Sequence, residues 1–168
     1  MHLRHKNLFT QLQTYRQEVI HFLEDVTEET AEIIPVGFNN NIRWNLGHIY
    51  LDQYLWIETL IKEKTEVPEI FHSWFGFGTS PADFQESTPS LVELRSLLTE
   101  QPKRIRETYS HRLEEISPPT EMGMQTIEQV LIRTIFHEGM HLQAMINLKN
   151  IYMKRFNNGK QKHNKEKS

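Results

Sequence analysis

The sequence predicts an all-α fold, a bundle of four helices. Three observations predict it. Four long segments place apolar residues three and four apart, no segment alternates in the manner of a half-buried strand, and two of the four segments open on capping-box patterns. The first segment carries Leu8, Leu12, Tyr15, Val19, Phe22 and Val26 on one stripe. The second runs from about Asn41 to Lys62, with Trp44, His48, Leu51 and Leu55 aligned. The third begins near Ser90, where Ser90-x-x-Glu93 is a capping box, and continues through Leu91, Leu94, Leu98 and Ile105. Pro102 falls inside it and is expected to kink or break the helix near Gln101, because proline has no N–H and its ring crowds the preceding turn. The fourth opens at Thr126-x-x-Gln129, and its stripe is Ile127, Leu131, Thr134, Glu138, His141, Met145 and Leu148.

The connections carry turn chemistry. Thr27 to Asn40 contains Pro35 and Gly37, and Ser117-Pro118-Pro119 separates the third and fourth segments. Residues 63–89, between the second and third, are long for a structureless loop and hold Phe71, Trp74, Phe75, Phe77 and Phe84. These aromatics are expected either to line a substrate pocket or to plug the bundle end or a dimer contact. At 168 residues the chain is one domain's worth and can bury a core unaided, so a bound metal is expected to serve chemistry rather than folding.

Charge and composition narrow the function. The net charge is −3, but the last fifteen residues hold six Lys or Arg and one acid. Residues 154–168 are therefore expected to form a disordered basic tail of charge +5, leaving residues 1–153 as a domain of charge −8. An acidic body repels phosphate backbones, so no nucleic-acid partner is expected. No apolar run reaches membrane length and no apolar stretch follows Met1, so no membrane span or secretory signal is expected, and the cytoplasm is the expected location. With no cysteine, thiol chemistry needs a thiol supplied by a substrate.

The chemistry-bearing motif is His137-Glu138-Gly139-Met140-His141, an H-E-x-x-H. Residues four apart on a helix are neighbours, so the two imidazoles can each aim a nitrogen at one ion. A zinc peptidase of the usual kind needs a further ligand downstream. Position 147 is Asn, the only acid after His141 is Glu166, and there is no strand to pair with a peptide. The third ligand must therefore come from upstream, with His48 on the apolar stripe of the second segment ahead of His72 and His111. Glu138 is expected either to act as a base on a ligand of the metal or to orient an imidazole or pair with an arginine. Asp52, one turn after His48, is a weaker candidate for a fourth ligand or an outer partner.

Asn41-Ile42-Arg43-Trp44-Asn45-Leu46-Gly47-His48 resembles the W-x-x-G-H start of the second helix in the DinB/YfiT-like metalloenzyme family. His137-Glu138-Gly139-Met140-His141 resembles that family's late H-E-x-x-H. The capped start at Thr126 and the segment Phe77-Gly78-Thr79-Ser80-Pro81 are similar as well, so that the resemblance spans roughly residues 1–153. It implies an up-and-down four-helix bundle of unusual hand. It also implies one divalent metal ion, zinc or nickel, on His48, His137 and His141, and a homodimer. Characterised relatives include transferases and isomerases that use low-molecular-weight thiols such as bacillithiol or mycothiol. The family often follows its last histidine with x-Gly-Gln, where this chain has Leu142-Gln143-Ala144. The implied function is that of a metal-dependent enzyme acting on a small molecule, either a thiol S-transferase or a hydrolase. The competing class is a non-catalytic metal-binding or stress-associated interaction protein.

Overall fold

A computed structural model describes the backbone of residues 1–165 and the side chains of residues 1–154. Four long helices dominate it: α1 (Leu3–Phe22), α3 (Ile42–Ile61), α5 (Leu91–Tyr109) and α6 (Ile127–Lys165). Two short helices, α2 (Glu28–Glu32) and α4 (Phe71–Phe75), lie in the connections, and there is no strand among the described residues. α1 packs on α5 and α6, and α3 packs on the same two, so the four long helices close a ring around one core. Leu12, Leu46, Leu98, Ile105, Leu131 and Met145 are buried there. Backbone helix continues through the segment expected to be a disordered tail as far as Lys165. Residues 166–168, and the side chains from Arg155 onward, lie outside the described residues.

The helix starts follow the sequence. Asn41 caps α3 by accepting from the Trp44 N–H at 2.8 Å. Ser90 and Glu93 form a reciprocal capping box at α5. Thr126 accepts from the Gln129 N–H at 3.2 Å, while the Gln129 side chain reaches back to the Gln125 N–H at 2.7 Å. The long 62–90 connection is partly structured. It contains α4 and a 3-10 turn over Pro81–Asp83, and Phe71, Trp74 and Phe75 are buried in contact with α3 and one another.

Two expectations about the helices need correction. Tyr15 does not continue the buried stripe of α1; it is exposed, and its neighbour Arg16 is completely buried. Pro102 does not break α5, which runs unbroken past it. The two corrections have one cause. Pro102 cannot donate to the carbonyl of Leu98, four residues earlier, and that carbonyl accepts instead from Nη1 of Arg16 at 2.7 Å. The hydrogen bond that proline removes is replaced from another helix.

The Arg16 guanidinium stands at the meeting point of all four long helices. Its Nε and Nη2 donate to the two oxygens of Glu138 on α6, at 2.6 and 3.0 Å. Nη1 also donates to Gln101 of α5 at 3.0 Å, and Nη2 to Gln53 of α3 at 3.2 Å. Gln53 passes the network to Thr134 of α6, and Gln101 donates on to the Tyr50 carbonyl. A buried ion pair gains little over a well-packed apolar pair, but losing one partner strands a charge. Arg16→Met is therefore expected to cost about 3–5 kcal/mol in urea unfolding. The double variant Arg16→Met/Glu138→Met should recover much of that loss. An equal loss in both would show that the charges are not paired as described.

Candidate metal centre

The stretch Asn41–His48 builds most of the centre, and each residue in it has a physical task. Asn41 caps the helix. Arg43 clamps two connections to it, donating to the Pro89 carbonyl at 2.7 Å, the Thr88 carbonyl at 2.5 Å and Glu32 at 2.6 Å. Trp44 stacks on the His48 ring, with centroids 4.8 Å apart and planes 10° from parallel, and its indole N–H donates to Thr79 at 2.9 Å. Gly47 is where α4 presses against α3. A Cβ there would lie 2.2 Å from the Phe75 ring, so only glycine allows this approach. The approach brings the Phe75 carbonyl to 2.7 Å from Nδ1 of His48.

His137 and His141 project from α6 one turn apart toward the same point. His48, His137 and His141 each offer a nitrogen within 4.8 Å of the others, and Nε2 of His137 lies 3.2 Å from Nε2 of His141. His72 and His111, the other upstream donors, stand outside this cluster. Every ring has an oxygen against Nδ1: the Phe75 carbonyl for His48, Asp52 at 2.9 Å for His137, and Asn45 at 2.7 Å for His141. The Asn45 amide is itself oriented, because its Nδ2 donates to the Asn41 carbonyl at 2.7 Å and leaves Oδ1 to accept from His141. Acceptors at Nδ1 place the proton there and leave Nε2 as a bare lone pair. Two such lone pairs facing each other at 3.2 Å repel, and a cation among them turns that repulsion into attraction. The donor set thus fits a divalent ion bound through three Nε2 atoms.

Burial pushes the His141 ring down to about 3, with further lowering from His48 and His137. His48 is also lowered, first by burial. Burial alone would raise Asp52, but the hydrogen bond from His137 and the charge of Arg133 outweigh it and hold Asp52 below its ordinary value. The rings of His48 and His141 are therefore neutral and free of competing protons near neutral pH.

A family model described as the DinB superfamily matches residues 11–145. The chain belongs to the DinB superfamily. That span includes all three histidines and all their Nδ1 partners, and the DinB superfamily is a metal-binding family. No curated protein matches the chain. No helix among the described residues of this DinB chain is long and apolar enough to cross a membrane.

The two carboxylates considered from sequence take separate roles. Glu138, expected either as a base or as a partner of an imidazole or an arginine, has both oxygens on Arg16 and does not line the cleft over the histidines, so of these roles the structure shows the arginine pairing. Asp52, weighed as the weaker candidate, is the carboxylate beside the centre, and it also accepts from Arg133 and from Trp56 at 3.1 Å. Asn45, Arg133 and the Phe75 carbonyl were not singled out from sequence. Asn45 sits one turn before His48 on the capped helix, a signal only in hindsight of the α3–α6 contact. A second group, His5, Glu114 and Glu128, also gathers ligand atoms, but Arg4 pairs with both glutamates and supplies the cation. His5 is buried there.

Above the histidines lies a cleft of about 600 Å³, lined by Phe38, Asn40, Trp44, Phe77 and Met140 among others. A neighbouring cleft of about 460 Å³ shares His48, His137 and Phe77 with it and adds Asp52, Trp56 and Arg133. In the aromatic connection Phe71, Trp74 and Phe75 are buried, and Phe77 lines both clefts.

Removing an outer partner typically weakens metal affinity 10–100-fold, and Asp52→Asn is expected to do so by competition with a chelator. An unchanged affinity would show that Asp52 does not position His137. The metal-free protein should also lose stability as pH falls below 6.5, the ordinary histidine value. The unfolded chain takes up a proton there, whereas folded His141 refuses it until about pH 3. His141→Gln should flatten the fall in melting temperature between pH 6.5 and about 5, above the carboxylate range.

Proposed function

We propose that this protein is a metal-dependent enzyme that transfers a low-molecular-weight thiol to a small electrophile, using one zinc or nickel ion on His48, His137 and His141. The observation that carries this reading is the three-histidine face itself. It opens on a cleft, and no fourth protein ligand joins it among the described residues. A divalent ion held there lowers the pKa of a water or thiol that joins its coordination shell and so makes a nucleophile available near neutral pH.

The carboxylates favour the thiol over water. Hydrolysis is usually helped by a free base, and Glu138 is engaged by Arg16 while Asp52 is engaged by His137, Arg133 and Trp56. A thiol, being more acidic than water, needs less help to ionise. The chain has no cysteine, so the sulfur comes from the substrate. In the transfer, the thiol loses its proton to solvent, its sulfur bonds to the electrophilic carbon, and the leaving group departs with the bonding electrons. The histidines hold the ion, Asp52 and Asn45 keep His137 and His141 in the correct tautomer, and Phe38, Trp44 and Met140 give the electrophile an apolar wall. The ring of four helices is read as the family's up-and-down bundle. The exposed row Ile132, Phe136 and Met140 supports a homodimer contact, and the protein is assigned to the cytoplasm.

Purified protein should hold close to one divalent ion per chain, and His48→Ala, His137→Ala and His141→Ala should each lose most of it by elemental analysis. Adding a small thiol to cobalt-loaded protein should produce sulfur-to-metal absorption. Glu138→Gln, provided it folds, should slow turnover only modestly. A thiol-independent activity that falls on the order of 10²-fold in that variant would support hydrolysis instead. A cobalt spectrum indifferent to thiols and small anions would replace both with a non-catalytic role.

A further inference from the structure

The clefts that meet at the histidines differ in chemistry. The larger is lined by aromatic, aliphatic and asparagine side chains, and among the described residues no lysine, arginine or carboxylate lines it. The smaller holds Arg133, one turn before His137 on α6. Arg133 is braced on two sides. One Nη donates to Asp52, and its guanidinium carbon lies 4.7 Å from the centre of the Trp56 ring. Its side chain is only 19% exposed. A guanidinium has five N–H donors, and a single oxygen, on Asp52, accepts from this one among the described residues. Its other donors therefore remain unused within a cleft that also exposes His48 and His137. Glu121 lines the same cleft but is exposed to solvent, where its charge is screened.

A planar fork with spare donors, stacked on an indole and held by one carboxylate, is built to receive a second carboxylate. We propose that the Arg133 cleft is an anion subsite that takes a carboxylate of the ligand while another group of that ligand reaches the histidine centre, leaving the larger, uncharged cleft to the second reactant. The inference rests on the reading of the histidine cluster as an open metal centre. It adds a substrate class: the ligand on this side carries a carboxylate a short chain away from its metal-seeking group. The two reactants then approach through separate clefts that share His48, His137 and Phe77.

The test uses zinc-loaded full-length protein and two hydroxamates of the same chain length, succinic monohydroxamic acid and butyrohydroxamic acid, with binding measured by calorimetry. Hydroxamates seek an open zinc position without any thiol, so the result does not depend on thiol chemistry. The carboxylate-bearing probe should bind about tenfold or more tightly, the usual scale of a charge-assisted hydrogen bond. Arg133→Gln should erase that preference and leave butyrohydroxamate binding and zinc content unchanged, while Arg133→Lys should retain part of it. Equal binding of both probes by the natural protein, or a preference that survives Arg133→Gln, would overturn the proposal. So would equal weakening of both probes in that variant, since Arg133 would then act only through Asp52 and His137. Failure of both probes to bind would sink the open centre and the subsite together. Hydroxamates that bind while thiols do not would sink thiol transfer alone.

Discussion

A single buried guanidinium fixes how the four long helices stand against one another. Arg16 satisfies a carbonyl that proline leaves open on α5, an amide on each of α3 and α5, and both oxygens of Glu138 on α6. The consequence for α6 is rotational. Successive residues on a helix step by about 100°. Once Glu138 faces the core, His137 and His141 are turned toward α3, the helix that carries His48. The pair that holds the core together thus also sets the direction in which two of the three imidazoles point. Glu138 and His137 are adjacent in sequence, and one serves the core while the other serves the centre.

α3 supplies the complementary half. Its first turn is capped by Asn41, whose carbonyl accepts from the Asn45 side chain, and the other end of that amide holds His141. The contact of Gly47 with Phe75 gives His48 its acceptor. The centre is therefore assembled from a helix start, a helix crossing and a short helix pressed onto a glycine. The short helix, α4, belongs to the connection between α3 and α5. That connection contributes Phe77, which is fully exposed and lies where the two clefts join.

Much of this was legible in the sequence, and the parts that were not share a cause. Helix positions follow from local rules, so the starts at Asn41, Ser90 and Thr126 lie where their side chains predict. The three histidines come together as expected, two from spacing on one helix and the third from its place on a stripe and in a recognised motif. Arg16 was invisible because its partner is 122 residues away and because a buried cation sits where periodicity expects an apolar residue. The unbroken α5 was invisible for the same reason: the donor that rescues Leu98 belongs to another helix. Which of its possible roles each of Glu138 and Asp52 takes depends on how α3 and α6 cross, which no pattern within either helix encodes.

The fixed tautomers bear on which metal the protein would carry. Asp52, Asn45 and the Phe75 carbonyl set the three rings from the protein side, so the ring positions do not wait on the ion. Three neutral imidazoles include neither a thiolate nor a carboxylate ligand to bias the choice. A set of this kind ranks the first-row divalent ions largely in the Irving–Williams order. Selection between neighbours such as nickel and zinc then falls to their free concentrations. The same chain made in two cells of different metal economy would carry different ions with no change in its fold.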